Sequence, residues 1–326
     1  MREQEILSVR DLSIQFRGFE RTVQAVSGLS FAVRAGETLG IVGESGCGKS
    51  VSSLAIMGLL AKTARITQGQ VLFEGQDLLN MPEKRMRQIR GNQVSMIFQE
   101  PMTSLNPVFT IGVQIAESIQ LHQGKSRQQA LRDAQDLLEL VQVSDPAKRL
   151  TQYPHELSGG MRQRVMIAMA LACKPRVLIA DEPTTALDVT IQAQILQILK
   201  DIQVELGTAI VLITHDLGVV AETCDRVLVM YAGSMVEEGA VADVLYRSRH
   251  PYTQALIRSL PGFVDAQGET GQRLAELPGI VPIRSPDAQG CAFASRCVAR
   301  IEQCEREAPR MLTAETGSRY WCRSGV

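Results

Sequence analysis

The hydrophobic and polar positions along the chain follow two periods that divide it into three stretches. Residues 6–98 alternate short runs of β-forming residues with turn residues, which predicts strands around a helix. Residues 100–160 place apolar side chains at helical spacing, which predicts a helix-rich insertion with helices over 111–123 and 127–142. Strands and helices alternate again over 175–239. This order predicts an α/β fold with a mixed, mostly parallel sheet and an antiparallel flank.

The composition narrows the classes of protein that this pattern allows. With 326 residues, 45% hydrophobic and 21% charged, the chain is long enough for one large domain with an appendage. No stretch reaches the roughly 18 to 20 apolar residues that a membrane-spanning helix needs. Residues 1–5 lack the apolar segment of a signal peptide, so we expect a cytosolic protein that reaches a membrane only through partner proteins. The net charge of −1 argues against a nucleic-acid partner.

A phosphate-binding pattern lies between a predicted strand and a predicted helix. Residues 43–50 fit G-x-x-x-x-G-K-[ST] without a gap. The glycines let backbone N–H groups approach phosphate oxygens, Lys49 reaches the β- and γ-phosphates, and the Ser50 hydroxyl can bind Mg²⁺. The alternative is a glycine-rich turn that merely ends in Lys-Ser, which the flanking strand and helix disfavour. The residues predicted to bind ATP here are Gly43, Glu44, Ser45, Gly46, Cys47, Gly48, Lys49, Ser50 and Val51.

Two further patterns resemble the ATP-binding cassette (ABC) ATPases. Residues 157–161 supply a serine and two glycines before a predicted helix, and an apolar strand over 177–180 leads into Asp181 and Glu182. The resemblance implies that Asp181 holds Mg²⁺ and that Glu182 polarises the attacking water, whereas two adjacent acids could otherwise be merely solvated. Met161 departs from the commonest signature, which has Gln. The signature residues implied to bind the γ-phosphate of ATP on an opposite subunit are Ser158, Gly159 and Gly160.

The remaining cassette elements follow in the family's order. Gln99 resembles the Q-loop glutamine, Asp188 the D-loop residue at a dimer interface, and His215 the switch histidine that binds the γ-phosphate. Phe16 is the predicted ring that stacks on adenine, with Phe19 competing for that role and either ring able to be core. The implied catalytic residues are Gln99, Glu182 and His215, and the implied Mg²⁺ ligands are Ser50, Gln99 and Asp181.

Two segments narrow the resemblance to the dipeptide and oligopeptide (peptide/nickel) importer branch. They are residues 100–107, directly after Gln99, and residues 250–256. The resemblance predicts an ABC ATPase domain over 1–260 that contains a helical subdomain at about 100–160. It also predicts a C-terminal peptide-importer extension over 261–326.

Four of the seven cysteines lie close together near the C-terminus. Cys291, Cys297, Cys304 and Cys322 have the spacing C-x₅-C-x₆-C-x₁₇-C, in a compartment where structural disulfides are disfavoured. Clustered thiolates suit Zn²⁺ or an iron–sulfur cluster, and spacing alone does not separate the two. The resemblance to peptide-importer ATPases favours a [4Fe–4S] cluster, with zinc and free thiols as the alternatives.

Together these features predict the ATP-hydrolysing motor subunit of an importer, peripheral on the cytoplasmic face of the plasma membrane. The implied partners are a second, different ABC ATPase subunit, two transmembrane permease subunits and an extracytoplasmic solute-binding protein. The solute stays open among dipeptides, oligopeptides, glutathione and nickel chelates. One alternative is a soluble ABC ATPase that acts on ribosomes or in DNA repair, and a second makes the C-terminal cysteines a redox or metal-sensing regulator.

Overall fold

The computed structural model describes residues 5–18, 21–99, 104–185, 187–259, 277 and 279–323. Its strands are β1 (Glu5–Arg17), β2 (Thr22–Arg34), β3 (Thr38–Val42), β4 (Ala64–Phe73), β5 (Gln76–Asp77), β6 (Val94–Ile97), β7 (Val177–Asp181), β8 (Ala209–Thr214), β9 (Arg226–Tyr231), β10 (Ser234–Ala240), β11 (Arg310–Thr313) and β12 (Arg319–Cys322). Its helices are α1 (Lys49–Ile56), α2 (Glu83–Ile89), α3 (Ile111–Gln123), α4 (Arg127–Leu140), α5 (Pro146–Arg149), α6 (Gly159–Leu171), α7 (Val189–Leu206), α8 (Leu217–Thr223), α9 (Val241–Arg247), α10 (Pro251–Arg258) and α11 (Gln303–Arg306). No described helix is long and apolar enough to cross a membrane.

The chain divides into two compact units. The first contains residues 1–7, 33–37 and 80–213, and the second contains 8–32, 38–79 and 214–326. In the first unit, β6, β7 and β8 pair in parallel, with Val94 opposite Val177 and Asp181 opposite Ile213. Every residue of these three strands is buried, which is the pattern expected when both faces of a parallel sheet are covered.

Helices of the first unit form where the sequence places apolar residues at helical spacing. Helix α4 begins with a capping box, in which the Ser126 side chain accepts from the Gln129 N–H and the Gln129 side chain bonds back to Ser126. Its inward face buries Ala130, Ala134 and Leu138, while the opposite face is polar. Helix α3 packs beside it and ends at Gly124, whose φ of 65° stops the helix.

The second unit contains a four-stranded sheet, mainly within this unit, and five strands of a second sheet. The first has the order β2-β1-β4-β5 and the strands of the second have the order β11-β12-β10-β9-β3. Strand β3 pairs with β9 in parallel, whereas β10 pairs antiparallel with both β9 and β12. The sheet is therefore mixed, and the C-terminal hairpin β11-β12 extends its edge.

The core of the second unit joins β3, which leads into the predicted phosphate-binding loop (the P-loop, residues 43–50), to the C-terminal region around Phe293. Val42 at the end of β3 belongs to the same buried cluster as Tyr231, Tyr252 and Phe293. The Phe293 ring lies 5.1 Å from that of Tyr231 and 5.3 Å from that of Tyr252, both in edge-on arrangements that aromatic rings favour. His250 packs against the same ring, and burial lowers the pKa of His250 to about 4. Residues near 293 are thus part of the interior of the second unit.

Candidate nucleotide-binding and hydrolysis site

The P-loop connects β3 to α1 in a conformation that requires glycine. Gly43 and Gly48 have φ values of 155° and 101°. A Cβ on Gly43 would lie 2.2 Å from the Met230 carbonyl oxygen, and one on Gly48 would lie 2.6 Å from the Ala25 carbonyl oxygen. The backbone therefore lies against two neighbouring strands with no room for a side chain. Gly46, by contrast, has a φ of 79° and open space where its Cβ would be, on a loop with room for phosphate oxygens.

The Lys49 ammonium is held inside this loop. Lys49 is 5% exposed, and its Nζ donates to the carbonyl oxygens of Gly43 at 2.7 Å and Glu44 at 3.1 Å. Cys47 is buried below it, and burial raises the pKa of this thiol despite the nearby ammonium. The loop thus combines fixed main-chain geometry with a positive charge at the start of a helix, which is an arrangement that fits phosphate.

Ser50 and Val51 lie half-buried in the first turn of α1, after the N-cap residue Gly48. The first turn of α1 carries no acidic side chain, so no carboxylate competes there for the helix N-terminus. Phe16, near the end of β1, is half-buried. The competing Phe19 lies outside the described residues.

The two carboxylates at the end of β7, those of Asp181 and Glu182, differ in burial. Asp181 is 3% exposed, whereas Glu182 is half-exposed with a φ of 46°, a value that L-residues rarely adopt. The Glu182 carboxylate accepts from Gln99 Nε2 at 3.0 Å and from Thr185 Oγ1 at 2.8 Å, and its N–H donates to the Ile213 carbonyl at 2.9 Å. The structure brings Gln99 and Glu182 together, and it adds Thr185, which the motif pattern did not single out.

The signature and D-loop residues stand at two helix N-termini. Ser158 caps α6 by accepting from the Met161 N–H at 3.4 Å, and Asp188 caps α7 by accepting from the Ile191 N–H at 2.9 Å. Ser158, Gly159 and Asp188 are exposed. A Cβ on Gly160 would lie 3.1 Å from the Ile191 side chain, so this glycine lets α6 approach α7 closely.

His215 follows β8 and is exposed at the turn before α8. The turn is fixed by Asp216, whose N–H donates to Thr214 Oγ1 at 3.0 Å and whose carboxylate caps α8 through the Gly218 N–H at 2.7 Å. Residues 100–103 of the predicted importer segment lie outside the described residues, as do residues 261–276, 278 and 324–326 of the predicted C-terminal extension. The roles assigned to the individual site residues, and the domain bounds, remain predictions.

The four C-terminal cysteines do not form the predicted metal centre. Within the described part of the chain, which includes all four, no group of three or more His, Cys, Asp or Glu side chains could hold a metal ion. Cys304 and Cys322 are buried and Cys291 and Cys297 half-buried, and none forms a disulfide. Burial raises the pKa of the Cys291 and Cys297 thiols. The predicted [4Fe–4S] cluster is therefore wrong, and the zinc alternative has no support either.

Comparisons with known proteins agree with the ATPase geometry. The ABC transporter family matches residues 26–185, and the family of the oligopeptide/dipeptide transporter C-terminal region matches residues 236–304. The chain is 54% identical to the probable peptide ABC transporter ATP-binding protein y4tR of Sinorhizobium fredii, over 97% of this chain and 94% of that protein. It is 50% identical to the dipeptide transport ATP-binding protein DppD of Escherichia coli strain K12, over 97% of this chain and 96% of that protein.

Solved structures support the same assignment. The dimeric post-hydrolysis state of the ATP-binding cassette MJ0796 bound to ADP and Pi is 26% identical, with a TM-score of 0.66, and the match covers 72% of this chain and 98% of that chain. These similarities confirm the predicted α/β ABC ATPase fold with its mixed sheet, although not a folded cysteine-rich extension. They do not favour the ribosome or DNA-repair alternative. The chain therefore belongs to the ATP-binding, ATP-hydrolysing subunits of the ABC transporter family, in the group that carries the oligopeptide/dipeptide transporter C-terminal region.

Proposed function

We propose that this protein hydrolyses ATP to drive the uptake of dipeptides or oligopeptides through a membrane complex. One observation supports the proposal most strongly. The P-loop, in which Gly43 and Gly48 leave no room for a side chain, lies in the same chain as residues 236–304, which match the oligopeptide/dipeptide transporter C-terminal region. The relatives named for peptide and dipeptide transport span almost the whole chain. Among the solutes that the motifs leave open, this similarity favours peptides.

The P-loop residues bind the phosphates of ATP in this proposal. In this proposal the main-chain N–H groups of Gly46 and Gly48 face the phosphate oxygens, and Lys49 neutralises the phosphate charge from within the loop. Ser50 in α1 is one proposed Mg²⁺ ligand. The others are Asp181, at the end of β7, and Gln99, which follows β6. When bound, Mg²⁺ supplies positive charge that neutralises the β- and γ-phosphates.

Glu182 is the proposed residue that orients and deprotonates water. Its unusual φ places the side chain beside Gln99 and Thr185, whose donors fix the direction of the carboxylate. A fixed carboxylate can accept the proton from a positioned water molecule, which is the role of a general base. His215 is proposed to hold the γ-phosphate, and Phe16 to stack on adenine.

The exposed signature supports a dimer of ATPase subunits. Ser158 and Gly159 stand at the N-terminus of α6, where a phosphate of ATP on a second subunit would meet the partial positive charge of the helix, and Asp188 would lie at the same interface. We propose that the second subunit is a different ABC ATPase. Two permease subunits and an extracytoplasmic solute-binding protein complete the complex, with this chain peripheral on the cytoplasmic face.

Affinity purification from detergent-solubilised membranes tests the assembly. We expect the tagged chain to recover two multi-spanning proteins and a second ATPase, and the reconstituted complex to take up labelled dipeptide in an ATP-dependent way. A Lys49→Ala complex should assemble but lose ATP binding and uptake, which makes it the matched control. Recovery of ribosomal proteins without permeases, or uptake that survives Lys49→Ala, would contradict the proposal.

A further inference from the structure

The side chains of Tyr252, Lys49 and Arg296 all contact Glu44, the second residue of the P-loop. Its N–H donates to the Tyr252 hydroxyl at 3.0 Å, and its carbonyl oxygen accepts from Lys49 Nζ at 3.1 Å. Both of its carboxylate oxygens accept from Arg296 Nη1, each at 3.0 Å. Because the Glu44 main chain is part of the phosphate cradle, these contacts fix the cradle itself.

Arg296 is itself held firmly, although it lies in the C-terminal region. Its side chain is 6% exposed. Nη1 also donates to the Tyr231 hydroxyl at 3.2 Å, Nη2 donates to the Leu277 carbonyl at 3.0 Å, and the guanidinium lies 5.7 Å from the centroid of the Tyr231 ring. Phe293, three residues earlier, is anchored in the aromatic cluster. The arginine is therefore preorganised before it meets Glu44.

The charge on Glu44 explains why such an arginine is needed. A carboxylate in a loop that binds phosphates repels them, and the repulsion is strongest where burial limits screening by water. Glu44 is half-buried, with its side chain 27% exposed. A cation in contact with both carboxylate oxygens cancels this charge and also fixes the loop.

We propose that Arg296 is a positioning residue for ATP: it neutralises Glu44 and holds the P-loop in its phosphate-binding shape, so that the C-terminal region completes the nucleotide site. The inference rests on the proposed ATP-binding role of the P-loop. Because binding linkage is reciprocal, ATP bound at the P-loop strengthens the docking of the C-terminal region by the same factor. The C-terminal region thus acts on the first step of the ATPase cycle.

MgATP affinity of the purified full chain tests this, measured by calorimetry for single and double variants. Arg296→Ala should weaken binding about tenfold, which corresponds to about 1.4 kcal/mol. Arg296→Lys should stay within about threefold of the wild-type affinity, because it keeps the positive charge. The remaining loss is expected because a lysine lacks the several donors of the guanidinium. In steady-state hydrolysis the loss should appear in KM, with kcat nearly unchanged.

The Glu44→Gln background separates charge neutralisation from simple packing. With the Glu44 carboxylate removed, Arg296→Ala should lower the MgATP affinity by less than about threefold, because no negative charge is left for Arg296 to neutralise. Equal losses in both backgrounds would overturn the proposal, as would an Arg296→Ala protein that binds ATP as wild type does. If Arg296→Ala does not fold, Arg296→Gln, which keeps an amide donor and removes the charge, takes its place in both backgrounds.

Two controls complete the experiment. Arg306→Ala removes another C-terminal arginine, whose partner Glu302 and own side chain are exposed at 72% and 76%, and it should leave ATP affinity unchanged. An equal loss in Arg306→Ala would show a general defect of the region and overturn the specific role of Arg296. Lys49→Ala tests the P-loop separately. Normal ATP binding by the Lys49→Ala protein would refute the proposed function. If Lys49→Ala loses ATP affinity and Arg296→Ala does not, only this inference is refuted.

Discussion

Replacing Gly43 with alanine tests how tightly the P-loop is built. The new Cβ would lie 2.2 Å from the Met230 carbonyl oxygen and 2.7 Å from Cys47 Sγ. Met230 belongs to β9, which pairs with strands on both sides, so its carbonyl cannot yield by itself. The loop must move by about 0.8 Å before the new Cβ is even 3.0 Å from the Met230 carbonyl oxygen. A misplacement of about 1 Å can cost about 10²-fold in rate, so we expect kcat/KM for ATP to fall by about that factor.

Gly207→Ala is the matched control, because it introduces the same change where space is available. Gly207 ends α7 with a φ of 63°, and nothing lies within 4 Å of the position of its Cβ. Only backbone strain remains, which costs about 1–2 kcal/mol of unfolding free energy. Phosphate release over a range of ATP concentrations measures kcat/KM, and urea unfolding measures stability. If Gly43→Ala hydrolyses ATP as efficiently as Gly207→Ala, the cradle can accommodate a side chain and the argument fails.

Three further predictions address hydrolysis, packing and pH. Glu182→Gln should keep ATP binding but slow single-turnover hydrolysis by at least about 10²-fold, because an amide cannot act as a base, and wild-type turnover would remove Glu182 from that role. Phe293→Ala should lower the free energy of urea unfolding by about 3–5 kcal/mol, since the ring is 2% exposed among aromatic neighbours, and a loss below about 1 kcal/mol would contradict this packing. His250 has a pKa lowered from 6.5 to about 4, so the unfolded chain takes up its proton first, and stability should fall by roughly 3 kcal/mol as pH drops from about 6.5 to 4. His250→Asn should flatten that part of the pH profile.

Local patterns predicted the elements well, because their causes are local. The helix over 111–123 has the bounds that its apolar spacing predicted. The helix predicted over 127–142 ends at Leu140, since Gln142 adopts a φ of 56° that no right-handed helix includes. The P-loop likewise lies between the strand and helix that flank it in the sequence.

The sequence could not show what depends on distant residues or on burial. Glu44 and Arg296 are 252 positions apart, and nothing in either neighbourhood indicates that they meet. The spacing of the cysteines showed that they are clustered along the chain, but it carried no information on the direction of each thiol or on its burial. That is why the metal prediction at Cys291 and its neighbours was wrong.

The hairpin β11-β12 also has a consequence for solubility. Strand β10 pairs with β9 on one side, and on the other side β12 covers it, with Glu237 opposite Tyr320 and Glu238 opposite Arg319. Without this hairpin, the backbone N–H and C=O groups on one side of β10 would form an unpaired edge, which recruits strands from other molecules. The buried carboxylate of Glu238 would also lose its ion pair with Arg319 and keep the one with Arg226. The last strands of the chain thus protect the sheet against aggregation.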